Sequence, residues 1–278
     1  MEHVTSADGT VLALERAGSG PAIVLVCGAI SDRSANAALA GELAGHFTVY
    51  NYDRRGRGGS GNATPYRLEA PAQEAGEEAL AREAEDLAAV VAAAGGRAYA
   101  YGISSGGALV LEAAARGVEL AGVAVYECPY SPGNGEEGRA YYAELTRLLR
   151  EGRGGEAAAL FLTVAGTPEA QVEQMRREPY WPQVEALAPV LPYDSAALGH
   201  GTCGGVFPVE RMASLAVPAL VLSGGASPRF FHDAARLITA TLAGARHEVV
   251  AGQDHQVRAA ALAPVLVAGL LGKTDRSV

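Results

Sequence analysis

Short apolar segments alternate along this chain with longer stretches whose apolar residues recur every third or fourth position. An apolar run without polar alternation suits a strand buried on both faces, and the helical stretches between such runs supply the cover. Ile23-Val24-Leu25-Val26 is the clearest such strand, and residues 47–52, 98–102, 122–126, 219–223 and 247–250 are the other strands expected of the sheet. The spacing predicts helices over residues 35–44, 73–94, 229–243 and 257–271, with another directly after residue 104; in the second of these Leu80, Leu87, Val90 and Val91 supply the apolar positions. Residues 2–6 and 10–16 read instead as a hairpin turning at Asp8-Gly9, a dipeptide suited to tight turns. Strands alternating with helices predict an α/β fold built on a mostly parallel, doubly wound sheet.

The pattern changes between Ser131 and Glu210, where helical stretches follow one another without a convincing strand. Ligands of such sheets bind beyond the carboxyl ends of the strands, so a helical block inserted there is placed as a lid. The expected division is a core of residues 1–130 and 211–278 and a lid of residues 131–210. The lid carries Trp181, the only tryptophan, with Phe161, Tyr193 and Phe207. These aromatics either line an apolar pocket or pack the lid onto the core. Trp181 and Phe161, with Ile30 from the core, are the residues expected to touch a substrate.

Composition then narrows the chemistry. Hydrophobic residues make up 49% of the 278, enough for a large core, yet runs such as Pro218-Ala219-Leu220-Val221-Leu222 are far too short to span a membrane. Met1-Glu2-His3-Val4 has neither the basic nor the apolar region of a secretion signal, and Cys27, Cys128 and Cys203 are widely separated. Together these features predict a cytoplasmic protein without a structural zinc site. A net charge of −9 argues against a nucleic-acid partner. Lys273 is the only lysine, which argues against Schiff-base chemistry and a phosphate-binding loop. No His-Glu-x-x-His occurs, so neither metal nor cofactor is expected, and the expected partner is a small-molecule substrate.

The chemistry itself is concentrated in Gly102-Ile103-Ser104-Ser105-Gly106, between a predicted strand and a predicted helix. Gly-x-Ser-x-Gly in that setting puts the serine on a sharp, strained turn with its hydroxyl projecting. The amide of Ser105, at a helix N-terminus, faces the place where negative charge would develop. A serine hydroxyl needs a base, and six histidines are available. His255 stands out because it lies in a loop just beyond the last strand. His200 and His232 lie near or in the lid, within possible reach of substrate, while His3, His46 and His247 read as surface or structural.

With these elements and motifs the chain resembles the α/β-hydrolase superfamily nearly end to end. Asp53-Arg54-Arg55-Gly56-Arg57-Gly58-Gly59-Ser60 looks like that family's loop after its fourth strand. The same residues satisfy Gly-x-Gly-x-x-Gly, but Asn62-Ala63-Thr64-Pro65 follows rather than a helix, so the loop reads as structural rather than dinucleotide-binding. The resemblance implies an α/β-hydrolase fold with an inserted helical lid and a catalytic histidine at His255. It also implies an oxyanion hole from the N–H groups of Ala29 and Ser105. Cys27 stands where the family usually has histidine, and nothing around it marks an ionised thiol. Ser227 stands where the family's acid is expected. Glu127, directly after residues 122–126, is therefore the expected acid, ahead of Asp254 and Asp233, with Ser227 left as a nearby hydrogen-bond donor.

The leading expectation is a serine hydrolase, carboxylesterase-like, that cleaves an ester, thioester or lactone of a small, largely apolar molecule through an acyl-enzyme. Ser104, His255 and Glu127 would be its catalytic residues. The acid missing at Ser227 and the altered Cys27-Gly28 loop motivate an alternative, a non-hydrolytic enzyme of the same fold performing acyl transfer, elimination or cyclisation. A binding module without turnover is the third reading, and fold alone does not separate the three.

Overall fold

The computed structural model describes residues 1–131 and 133–272; Lys273 lies outside them. Eight strands form one sheet: β1 (Glu2–Thr5), β2 (Val11–Gly18), β3 (Ala22–Val26), β4 (Thr48–Tyr52), β5 (Ala98–Ile103), β6 (Leu120–Tyr126), β7 (Ala219–Gly224) and β8 (Arg246–Val250). Their spatial order is β1-β2-β4-β3-β5-β6-β7-β8. The opening hairpin adds β1 and β2 antiparallel at one edge, and from β4 to β8 every pairing is parallel. The central strands are buried on both faces, as their uninterrupted apolar sequence requires.

Two apolar layers follow from the alternation of side chains across the sheet. On one face Val24, Val26, Ala100, Val123 and Val125 meet the helices α2 (Ala72–Ala93), α3 (Ser105–Ala115) and α10 (Arg229–Thr241). On the other, Ile23, Leu25, Tyr101, Ala124 and Leu222 meet α1 (Ala37–Leu43) and α11 (Ala259–Leu271). The predicted helix over residues 35–44 is a short 3₁₀ turn, Arg33–Asn36, leading into α1.

Between β6 and β7 come α4 (Glu136–Arg150), α5 (Gly154–Val164), α6 (Glu169–Met175), α7 (Trp181–Ala186), α8 (Leu191–Ala197) and α9 (Val209–Met212). Among the described residues this insertion contains no strand, only an isolated bridge between Ser131 and Val206. Its aromatic residues serve two different cores. Trp181 and Phe161 join Tyr141, Leu145 and Leu148 in a separate apolar cluster, whereas Tyr193 and Phe207 pack into the main core. Tyr193 donates to Asn62 Oδ1 and to the Thr64 carbonyl, and Phe207 meets the Tyr130 ring edge-on. These two do not share a wall with Trp181.

Candidate active site

Strand β5 ends at Ile103 and α3 begins at Ser105, so Ser104 makes the turn alone, with φ 57° and ψ −127°. A residue with a side chain held in such a conformation costs roughly 1–3 kcal/mol and persists only where its surroundings over-determine it. Here they do. The Ser104 N–H donates to the Tyr126 carbonyl at 2.9 Å, and its own carbonyl accepts from the amides of Gly107 and Ala108 at 3.0 and 3.2 Å. A Cβ on Gly102 would lie 2.4 Å from the Gly106 carbonyl oxygen, and one on Gly106 would lie 2.4 Å from that of Cys27. Not even alanine fits at either place. The Ser104 hydroxyl has no hydrogen-bond partner among the described residues.

Two amides without partners among the described residues flank the elbow in sequence or in space. Ser105 is the first residue of α3, so its N–H is one of the four that a helix leaves unpaired at its positive end. The loop after β3 lies against the elbow at Gly28, where an added Cβ would come within 3.2 Å of the Ile103 carbonyl oxygen and 3.3 Å of Ser104 Cβ. Neither the Ala29 nor the Ser105 amide donates a hydrogen bond among the described residues. Ile30, next in the loop, has φ 46°.

Glu127 directly follows β6 with φ 49°, and its N–H donates to the Leu222 carbonyl at 3.0 Å. Its carboxylate is fully buried: Oε1 accepts from the Gly224 amide at 2.7 Å and Oε2 lies 2.8 Å from His255 Nδ1. A buried carboxylate so placed assigns the donor tautomer to Nδ1 and leaves Nε2 as the basic nitrogen. The imidazole is 41% exposed and lies flat on Phe231, with ring centroids 4.9 Å apart at 10°. The Tyr126 hydroxyl donates to the Asp254 carbonyl at 2.6 Å and fixes the loop that presents His255. Ile30, Ser104 and Glu127 are the only non-glycine residues with positive φ among those described, and Ser104 donates its N–H to the carbonyl of Tyr126, the neighbour of Glu127.

The other candidates fall elsewhere. The Asp254 carboxylate accepts from the amide of Gln256 in its own loop, and Asp233 pairs with Arg236 on the surface of α10. The Ser227 hydroxyl is buried and has no partner, so it does not donate to this site. His232 is not in the insertion: it lies on α10, where its Nδ1 and His247 Nε2 share the Ser223 hydroxyl. His200 is in the insertion, edge-on to Tyr141, and burial pushes its pKa down to about 4. Trp181 belongs to an apolar cluster of the insertion against which Phe161 and, from the core, Ala29 and Ile30 pack. A separate cleft lined by Tyr66, Glu112, Tyr130 and Tyr142 includes none of Ser104, Glu127 or His255.

What the sequence reading missed is the use of the arginine loop. Arg54, Arg55 and Arg57 are all buried. Arg55 ties Asp86 of α2 to Asp8 of the opening hairpin and is structural. Arg54 and Arg57 instead reach the loop after β3: Arg54 Nη1 donates to the Cys27 carbonyl at 3.2 Å and Arg57 Nη1 to the Gly28 carbonyl at 2.6 Å. Both also pair with Asp194 of α8. Burial pushes the Asp194 carboxyl up, but the Arg57 and Arg54 guanidiniums together hold it below the ordinary carboxylate range. Three arginines in one loop of an apolar chain were the available signal, since buried guanidiniums require carboxylates.

The family model described as "Alpha/beta hydrolase family" matches residues 23–270. No curated protein matches the chain. Among solved structures, the chain is similar to an alpha/beta hydrolase from Sphaerobacter thermophilus DSM 20745, with 45% identity over 96% of this chain and 98% of that one and a TM-score of 0.82. The fold is also that of an enol-lactonase from Burkholderia xenovorans LB400, with 22% identity over 97% of this chain and 100% of that one and a TM-score of 0.70. An esterase from Rhodococcus sp. ECU1013 has the same fold at 19% identity, over 98% of each chain, with a TM-score of 0.68.

Proposed function

Because this chain belongs to the alpha/beta hydrolase family, we propose that it is a serine hydrolase acting on an ester, thioester or lactone of a small, largely apolar molecule. Ser104 Oγ attacks the carbonyl while His255 Nε2 takes its proton. Glu127, bonded to Nδ1, holds the ring and stabilises the imidazolium that forms. The N–H groups of Ala29 and Ser105 receive the oxyanion. Collapse expels the alcohol or thiol, protonated by His255, and leaves an acyl group on Ser104. Water activated by the same imidazole then releases the acid. The helical insertion acts as the lid, and Trp181, Phe161 and Ile30 supply its apolar wall.

The observation that carries this reading is the 2.8 Å contact between His255 Nδ1 and the buried Glu127 carboxylate. It supports Glu127 as the acid that Ser227 cannot be and removes one of the two motives for the non-hydrolytic alternative, the altered Cys27-Gly28 loop being the other. The esterase and the enol-lactonase of the same fold agree with an ester or lactone substrate. A fluorophosphonate probe tests the reading: the adduct, located by mass, is expected on Ser104 and lost in Ser104→Ala and His255→Ala. Wild type that does not label would overturn it. Labelling without hydrolysis of a panel of acyl p-nitrophenyl esters would turn it toward acyl transfer or another non-hydrolytic reaction.

A further inference from the structure

We propose that Asp194 is a positioning residue for both oxyanion donors, carried to the site by the inserted helices; this rests on the serine-hydrolase reading. Its carboxylate is buried on α8 and holds three groups at once. Oδ1 accepts from Ser105 Oγ at 2.7 Å and from Arg54 Nη1 at 2.7 Å, while Arg57 Nη2 spans Oδ1 and Oδ2 at 2.9 Å each. One branch ends on the residue whose amide heads α3. The other runs through Arg57, whose Nη1 donates to the Gly28 carbonyl at 2.6 Å.

That second bond decides where the Ala29 amide points. The peptide joining Gly28 to Ala29 is planar and trans, so its C=O and N–H point in opposite directions. Holding the Gly28 oxygen toward Arg57 therefore turns the Ala29 N–H away from Arg57, in a loop whose Gly28 lies against the elbow. The Ser31 hydroxyl donates to the same carbonyl at 2.9 Å and supports that orientation. A peptide after a glycine, beside a residue at φ 46°, would otherwise rotate at small cost.

The two arginines differ in how far they depend on Asp194. Arg54 keeps a second carboxylate, with Nε and Nη2 on Glu83 of α2 at 2.8 and 2.7 Å. Arg57 pairs with no carboxylate but Asp194 among the described residues, and at 1% exposure water does not replace it. Loss of the Asp194 charge therefore releases Arg57 first, and with it the Gly28–Ala29 peptide. An oxyanion hole works only if its donors are already aimed when charge develops, so loosening one donor lowers turnover rather than substrate binding.

The test uses the full chain with an acyl p-nitrophenyl ester, and with a trifluoromethyl ketone, whose adduct with a serine carries an oxyanion. Asp194→Asn is expected to lower kcat on the order of 10²-fold and to weaken the ketone by a similar factor, with KM changed less than about threefold. Ser105→Ala, which removes only the hydroxyl, is expected to lower both about tenfold. It decides the matter should Asp194→Asn fail to fold. The two losses should be less than additive in the double variant, because both act through one carboxylate. Folded variants that retain wild-type kcat and ketone affinity, or that raise KM alone, would overturn the proposal while leaving the hydrolase reading intact. Wild type that neither turns over nor binds the ketone would overturn both, and that result is read before any variant is made.

Discussion

Glu127 and Asp194 are both buried carboxylates bonded at 2.7–2.8 Å to groups of the same site, but their partners differ in kind. Glu127 leaves the end of β6 and meets one backbone amide and one half-exposed imidazole, which carries charge only when protonated. Asp194 descends from the insertion onto two guanidiniums that are always charged and a hydroxyl. In the proposed reaction the first arrangement holds a negative charge beside the imidazole that becomes charged during turnover. In the second, the charges are compensated from the outset and the Arg57 arm ends on backbone. On this reading the difference teaches that one buried carboxylate serves a reaction step, whereas the other serves the geometry in which the step occurs.

Replacing each acid by its amide should separate the two roles. Glu127→Gln keeps the shape and the Gly224 bond but removes the charge facing His255. It is expected to lower kcat about 10⁴-fold, roughly 5.5 kcal/mol of barrier, with little change in thermal midpoint. Full activity in Glu127→Gln would break the assignment. Asp194→Asn should show the reverse balance: a smaller loss of turnover, but a loss of unfolding free energy of roughly 3–5 kcal/mol, because it strands buried arginine charge. A denaturant titration comparing the two variants measures this directly, and equal stabilities would remove the distinction.

His200, near Asp194 in the insertion, gives a pH-dependent form of the same contrast. Its pKa falls from 6.5 to about 4 through burial, so the folded protein keeps the imidazole neutral where the unfolded chain protonates it. The stability this contributes is complete above pH 6.5 and is lost as pH falls toward 4, on the order of 2 kcal/mol for this partly buried ring. His200→Gln should flatten the stability profile across that window, and an unchanged slope would count against it. The smallest effect is expected for Tyr126→Phe, which removes the 2.6 Å bond to the Asp254 carbonyl. A loss of about 1 kcal/mol in stability and a severalfold drop in kcat should follow, with KM steady, as the His255 loop loosens. Unchanged kcat would show that Glu127 and Phe231 hold the imidazole without the Tyr126 bond.

Local pattern explains why so much of the fold was legible. Strands β3, β5, β6 and β7 carry apolar runs of four or more residues, and the glycines at 102 and 106 declare a turn that no larger residue could make. Glu127 was legible for a different reason: it is the first residue after a recognisable strand, in the right chain order between Ser104 and His255. The aromatic residues of the insertion were not equally legible. Nothing in the sequence distinguishes Trp181, which clusters with the Ile30 loop, from Tyr193, which turns to Asn62 and the main core. Helices as short as α7 and α8 take their orientation from docking, not from their own periodicity.

By itself, then, the sequence determined the order of strands and helices and the sharp turn at Ser104, because these depend on neighbours along the chain. Tertiary structure alone decided which distant groups meet. Asp194 lies 140 residues from Arg54 and 89 from Ser105, and no spacing rule connects them. Their meeting depends on how α8 packs against α2 and α3, where the buried guanidiniums of Arg54 and Arg57 receive its carboxylate.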